Sequence, residues 1–254
     1  FFNFFGLVMD KINRFKAIGT RATGKSHKNN GIPCQDDFYL NNGDIGIICL
    51  ADGAGSAKRS DLGARLITQN LTEYLKTNIK KIINLQIVVI QELLIDEINK
   101  TLDFLTISNN EHVDQFSSTL LLVVAYKNKY ISAHLGDGII LEYRNNKSIM
   151  HSLPENGEYS NQTYFTTSKN LNKHLRIKKG VLNDTSFAVM SDGAASVLFD
   201  GKKIYPQIDR VFEFFEKNKL QQSALDSLVN EKFIPISSGG DDCSIAILTV
   251  CVKA

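Results

Sequence analysis

The sequence predicts an α+β protein in which sheet packs on sheet with helices outside. Three observations carry this expectation. Apolar runs of strand length lie near both ends of the chain, two successive helical stripes separate them, and tight-turn dipeptides stand where the strands stop. With 254 residues, 43% hydrophobic and 22% charged, the chain reads as one globular domain over 1–254 with a sizeable core. The opening FFNFFGLVMD is apolar but has neither a basic leading region nor a small-residue cleavage site. Residues 1–10 therefore read as a leader or expression remnant rather than a signal peptide.

Residues 14–20 and 37–41 have the pattern of short strands, and IGIICLA at 45–51 that of a fully buried strand ending at Asp52-Gly53. Ser60 then stands as N-cap of a helix running to about residue 78. Leu62, Leu66, Ile67, Leu71, Tyr74 and Leu75 recur along it at helical spacing. A second helix over 87–108 carries the stripe Leu93, Leu94, Ile98, Leu102 and Leu105. Three β-rich runs follow at 119–126, 130–135 and 139–144. They are broken by Lys127-Asn128-Lys129 and Gly136-Asp137-Gly138, which predicts an antiparallel meander. From 145 to about 180 the chain turns to Asn, Lys, Ser and Thr, too long for a plain connection, and reads as a flap beside the site. FAVMS at 187–191 is a strand, weaker helical patterns fill 194–230, and CSIAILTVCV at 243–252 is a final buried strand.

Charge and cysteine usage exclude several classes of function. Lys and Arg number 29 against 27 Asp and Glu, and a net charge of +2 gives nucleic acid no electrostatic footprint. No run approaches the roughly 18 apolar residues a bilayer span needs, so no membrane partner is expected. Cys34, Cys49, Cys243 and Cys251 form no CxxC pair and fit a reducing, cytoplasmic compartment.

The informative feature is a set of acidic residues where strands stop: Asp36 and Asp37 in PCQDDF, Asp52 in LADGAGSA, Asp137 in LGDG, Asp192 in MSDGA, and Asp241 and Asp242 in GGDDCS. Converging carboxylates repel one another and lose hydration, which hard divalent cations with oxygen ligands relieve. All-oxygen donors point to Mg²⁺ or Mn²⁺ rather than Zn²⁺. Asp-Gly is also a favoured turn dipeptide, and Asp200-Gly201 reads as a turn only. Asp52 and Asp192 differ from it in context. Each follows an apolar strand and precedes small residues, so backbone and ligand can approach closely.

In this order the motifs GKSHKNNGIPCQDDF, ADGAGSAKRSDLGA, SSTLLLVVA, HLGDG, GEYSNQTYF, MSDGA and GGDDCSIAIL resemble the type 2C metal-dependent protein serine/threonine phosphatases, most closely a bacterial branch. The resemblance covers nearly the whole chain. It implies a four-layer α-β-β-α sandwich of two antiparallel sheets. It also implies hydrolysis of phosphoserine and phosphothreonine in proteins by a hydroxide bridging two Mg²⁺ or Mn²⁺ ions, with a third, weaker metal in many bacterial members. The roles it implies place Asp36, Asp52, Asp192 and Asp241 as metal ligands acting through bound water, Gly53 as a carbonyl ligand and Asp137 at the third metal. Gln35, Asp37 and Asp242 stand beside the ligands, while His27, in the segment leading to Asp36, reads either as a phosphate contact or as a solvated loop histidine. A phosphorylated protein substrate, a cognate Ser/Thr kinase and a monomeric state complete the picture.

The chain also departs from that pattern. Gln35 replaces a frequent Glu, Ala54 stands where animal members carry a His, and Gly31 falls where many relatives clamp phosphate with Arg, leaving His27, Lys28 or Lys25 to substitute. The missing Arg favours a first alternative, a phosphatase-like binding module. A second is a phosphoesterase acting on nucleotides or small phosphoesters. His134 reads as a packed, hydrogen-bonded histidine. The basic run from Lys173 to Lys179 reads as a solvated face.

Overall fold

A computed structural model describes residues 14–155, 163–217 and 221–251. The expected remnant at 1–10 and residues 156–162 of the expected flap lie outside these. One five-stranded sheet has the order β1 (Arg14–Ala22), β10 (Cys243–Cys251), β9 (Ser186–Met190), β6 (Ile139–Arg144), β7 (Lys147–Ser152). The other has β2 (Asp37–Asn41), β3 (Ile45–Ala51), β4 (Leu120–Tyr126), β5 (Lys129–Leu135), β8 (Arg176–Val181). Every pairing is antiparallel.

Side-chain alternation explains why these strands are apolar throughout. On β3, Ile47 and Cys49 face a core shared with α2 (Ser60–Ile82) and α3 (Ile87–Asn109), while Ile48 and Leu50 face the opposite sheet. On β4 the even-numbered Leu120, Leu122 and Val124 take the helical side and Leu121, Val123 and Ala125 the inter-sheet side. On β9, Phe187 and Val189 pack between the sheets. Ala188 and Met190 pack outward on α5 (Asp192–Leu198), α6 (Gln207–Glu216) and α7 (Gln222–Leu228), against residues such as Ile208, Phe212 and Leu225. A strand with helices on one face and a sheet on the other keeps no polar face, and these residues define the four-layer α-β-β-α sandwich.

Three expectations need correction, and one element was not foreseen. The runs 119–126, 130–135 and 139–144 do not form one meander. β4 pairs with β5, but β6 pairs with β7 and β9 in the other sheet, so the turn at 136–138 carries the chain from one sheet to the next. The span 145–180 is not all flap, because β7 and β8 close the two sheets and a short α4 (Leu171–His174) precedes β8. Their polar, Lys-rich sequences belong to edge strands, whose outer sides face solvent. Ser60 does not cap α2: it is the first helical residue, fully buried, and its Oγ accepts a hydrogen bond from Gln35 Nε2 at 2.8 Å. The segment before Asp36 also contains a helical turn, α1 (Lys25–Asn30), ended by Gly31 in the left-handed region at φ 66°.

Asp200 forms the turn expected of it, its Oδ1 accepting the backbone N–H groups of Lys202 and Lys203. Among the described residues no helix is long and apolar enough to cross a membrane.

Candidate metal centre

The strand registers bring the acidic residues to one end of the sandwich. Asp37 pairs with Ala51, which sets Asp36 at the entrance of β2 beside Asp52 at the exit of β3. Ile245 pairs with Met190, which sets Asp241 and Asp242, just before β10, beside Asp192, just after β9. The β5–β6 turn adds Asp137. A cleft of 290 Å³ opens there, lined by His27, Gln35, Asp52, Gly53, Asp137, Asp192 and Asp241 together with Ser26, Ala54, Gly55, Thr119, Phe165 and Gly239.

Each functional group is held from behind. Thr119 receives the backbone N–H of Asp52 on its Oγ1 at 2.9 Å and gives its own N–H to Asp52 O at 2.8 Å, which fixes Asp52 at the strand end. Gly53 donates its N–H to Gln35 O, and a Cβ at Gly53 would sit 2.8 Å from both that oxygen and Ser60 Cβ, so only glycine brings this loop so close. Gln35 in turn donates its own N–H to Asp242 Oδ2. Asp242, 2% exposed, serves structure: its two oxygens accept the N–H groups of Gly24 and Gln35, both at 2.7 Å. His27 Nδ1 lies 2.9 Å from Asp242 Oδ2, at an angle that makes no hydrogen bond.

Asp36 is fully buried and is not among the residues lining the cleft, and neither carboxylate oxygen makes a hydrogen bond of ordinary geometry, although the Ser244 and Ser191 hydroxyls and Asp52 lie close enough to favour its ionised form. Burial, opposed by the Ser244 hydroxyl and reinforced by Asp242, pushes its carboxyl up to about 7. Burial and then the charge of Asp36 hold Asp52 well above the usual carboxylate range. Burial raises Asp192 to about 6 despite its hydrogen bond with Asp52, and burial also raises Asp241. Among the described residues, those lining the cleft include no Lys or Arg, and His27 is the only one of them able to carry a positive charge. Such a cluster favours either protons or a multivalent cation.

Asp37 stands apart from this group. Its carboxylate pairs with Arg21 Nη1 at 3.1 Å and lines a neighbouring cavity with Arg65 and Asp61, and the same Arg21 nitrogen donates to Asp36 O. Gly31 carries no cation, as its identity requires, and Lys28 and Lys25 do not line the cleft; Lys25 Nζ donates to Pro235 O. His134 is 1% exposed and packed: Nε2–H donates to Gly136 O and Nδ1 accepts from Ser152 Oγ.

Sequence reasoning missed Thr119, Phe165 and Thr163, whose Oγ1 donates to Asp137 Oδ2 at 2.5 Å. Thr119 had a readable signal, the last of the three hydroxyl residues Ser117-Ser118-Thr119 at the head of an apolar strand. Thr163 and Phe165 lie in the GEYSNQTYF motif, which carried the resemblance but gave neither residue a role, because local pattern leaves that segment unstructured.

The four-layer sandwich with an acidic cleft across one end is the architecture of a protein-serine/threonine phosphatase. The chain belongs to the protein phosphatase 2C family, whose sequence model matches residues 23–230. Among solved structures it is similar to the catalytic domain of the serine threonine protein phosphatase PstP in complex with two manganese ions, at 12% identity and TM-score 0.68, over 94% of this chain and 99% of that one. It is similar to PppA, a regulatory component of T6SS in Pseudomonas aeruginosa, at 14% identity and TM-score 0.63, covering 94% and 99%. It is also similar to RsbX in complex with magnesium, at 12% identity and TM-score 0.56, covering 94% and 96%. At these identities the likeness is one of fold. No curated protein matches the chain.

Proposed function

We propose that this chain hydrolyses phosphoserine and phosphothreonine in proteins with two Mg²⁺ or Mn²⁺ ions held in the acidic cleft. The observation that carries the reading is the buried Asp36 carboxylate, whose two oxygens make no hydrogen bond of ordinary geometry within a group of carboxyls all raised by burial and mutual repulsion. A buried anion of this kind needs a cation. The donors suit a hard ion, since they are all oxygen. Among the described residues no three His, Cys, Asp or Glu side chains close on a single ion by themselves.

In this reading Asp36, Asp52, Asp192 and Asp241 would hold the ions with their carboxylates and Gly53 with its carbonyl, while Gln35 and Asp242 fix the loops behind them. Bound there, a pair of divalent ions supplies a water activated toward phosphorus and neutralises the phosphoryl oxygens. His27, the only potential cation among the described residues lining the cleft, contacts the substrate phosphate in place of the arginine absent at Gly31. Asp137 would help hold a third ion, its carboxylate being steadied by Thr163. Ala54 offers no proton to the leaving group. PstP and RsbX bind manganese and magnesium, respectively, which supports the choice of metals. The substrate is a phosphorylated protein and the opposing enzyme a Ser/Thr kinase. The chain acts as a monomer, and its four free cysteines fit a cytoplasmic setting.

The decisive assay follows release of phosphate from a phosphothreonine peptide with Mn²⁺, Mg²⁺ or EDTA, for the wild type and for Asp52→Asn and Asp192→Asn. Metal-dependent turnover lost in both variants is expected. No turnover by the metal-loaded wild type on the peptide overturns the proposal, and strong turnover of a nucleotide in its place would identify the small-molecule alternative.

A further inference from the structure

Glu155 joins three pieces of chain that lie apart in sequence. Its N–H donates to Gly136 O at 2.9 Å, in the turn that carries Asp137. Its Oε1 lies 3.1 Å from His174 Nδ1, and because an ionised carboxylate only accepts, that nitrogen carries the proton. Its Oε2 forms an ion pair with Arg176 Nε at 3.1 Å, off the axis of a hydrogen bond, and Arg176 Nη2 donates to Leu153 O. The side chains of Glu155 and His174 are 29% and 20% exposed, so the contact is largely out of water and exceeds an ordinary surface ion pair.

His174 passes this constraint on. Its ring stacks on Tyr164 with centroids 3.4 Å apart and planes 14° from parallel. Tyr164 lies between Thr163, bonded to Asp137, and Phe165, which lines the cleft. Just beyond, Thr166 N donates to Ser118 O and Thr167 Oγ1 pairs with Ser117 Oγ. Residues 163–167 are thus tied in front to the acidic cleft, behind to the chain that leads into Thr119, and from the side by the Glu155–His174 pair. Lys178 donates to His151 O and Lys179 to Leu85 O, so this part of the basic run is committed to the protein's own carbonyls.

We infer that Glu155 is a positioning residue for substrate: its carboxylate clasps His174 against Tyr164 and so sets Thr163 and Phe165 at the cleft mouth, where the polypeptide flanking a phosphoresidue rests. The substrate half of this inference rests on the proposed phosphatase reading. The clasp itself does not. Phe165 adds an aromatic side chain to a cleft whose other lining residues are mostly polar or acidic. It suits contact with a peptide chain and gives nothing to a bare phosphate. A small aryl phosphate brings at most its single ring to Phe165 and has none of the flanking polypeptide that this segment is inferred to hold.

The test compares wild type, Glu155→Gln and Glu155→Asp on a phosphothreonine peptide and on p-nitrophenyl phosphate, and follows trypsin cleavage after the exposed Lys169 and Lys173. Glu155→Gln is expected to raise KM for the peptide about tenfold, the loss of one charge-assisted contact, with a much smaller change for p-nitrophenyl phosphate. Cleavage at the two lysines should quicken by a similar factor while cleavage elsewhere stays constant, and Glu155→Asp should recover part of both effects. An equal rise in KM for both substrates, or an unchanged peptide KM with faster cleavage, overturns the positioning role. Cleavage at the wild-type rate overturns the clasp. If the wild type turns over neither substrate, the phosphatase reading fails and the cleavage rates alone decide whether Glu155 holds this segment.

Discussion

Asp242 Oδ2 accepts the backbone N–H of Gln35 at 2.7 Å, a contact between residues 207 positions apart. Its other oxygen accepts the N–H of Gly24. One buried carboxylate therefore bolts both ends of the 24–35 segment, including α1 and His27, to the head of β10.

Replacing Asp242 with Ala leaves two buried N–H groups without acceptors and should cost about 3 kcal/mol of stability, with Asn, which keeps one acceptor oxygen, costing roughly half as much. Chemical denaturation of the three proteins checks this. A midpoint unchanged in the Ala variant would mean that water satisfies both groups.

Metal should stabilise the protein more at neutral pH than in acid. Burial raises Asp36 to about 7 and Asp192 to about 6, above their unfolded values, so without metal the folded chain holds protons that the unfolded chain releases. The stability this contributes is complete at low pH and is lost as pH rises from about 4 to about 7, where a divalent ion can take the place of the protons. The rise in Tm on adding Mn²⁺ should therefore be larger near about pH 7.5 than near about pH 5. Equal shifts at both would place the bound ion away from these carboxylates.

His134 acts in the opposite direction. Burial, assisted by the charge of Arg176, pushes it down to about 3, so the unfolded chain takes up the proton first as pH falls. Its contribution is intact above the unfolded pKa of about 6.5 and is lost from there down to about 3, at about 1.4 kcal/mol per pH unit. Urea midpoints across this range should fall more gently for His134→Gln than for the wild type. Parallel curves would remove His134 from the account.

Gly193→Ala should disable the centre while its control does not. A Cβ at Gly193 would meet Asp242 O at 2.0 Å, forcing α5 and the head of β10 apart and separating Asp192 from Asp241, at about 2 kcal/mol or more. Gly201→Ala meets nothing within 4 Å and bears only the strain of a φ of +87°, about 1 kcal/mol. Calorimetric Mn²⁺ titration should show binding lost in the first and kept in the second.

How much of this was legible follows from the physics of each element. The stripes of α2 and α3 and the unbroken apolar runs of β3, β4 and β10 reflect burial, which leaves a mark in sequence. β7 and β8 were hidden because these edge strands carry exposed lysines, Lys147, Lys178 and Lys179, and in β7 even buried positions are polar, Ser148, His151 and Ser152. The meander was misread because Gly136-Asp137-Gly138 gives the same turn chemistry whether the chain returns to its own sheet or crosses to the other. At the site, the carboxylates at strand ends were readable one by one. Contacts such as Asp242 with Gly24, or Thr163 with Asp137, depend on distant segments meeting, which no local pattern encodes.

The pairing of β1 with β10, from Arg14 opposite Cys251 to Ala22 opposite Cys243, bears on how the molecule is born. All strands of the second sheet lie within 37–181, so that sheet is complete in covalent terms before β10 is made. β1 lacks its sheet partner until β10 leaves the ribosome, and such long-range pairings form late. Asp241 and Asp242 travel with β10, so a nascent chain cannot assemble its acidic cleft until then, and gains it in the same step that secures β1.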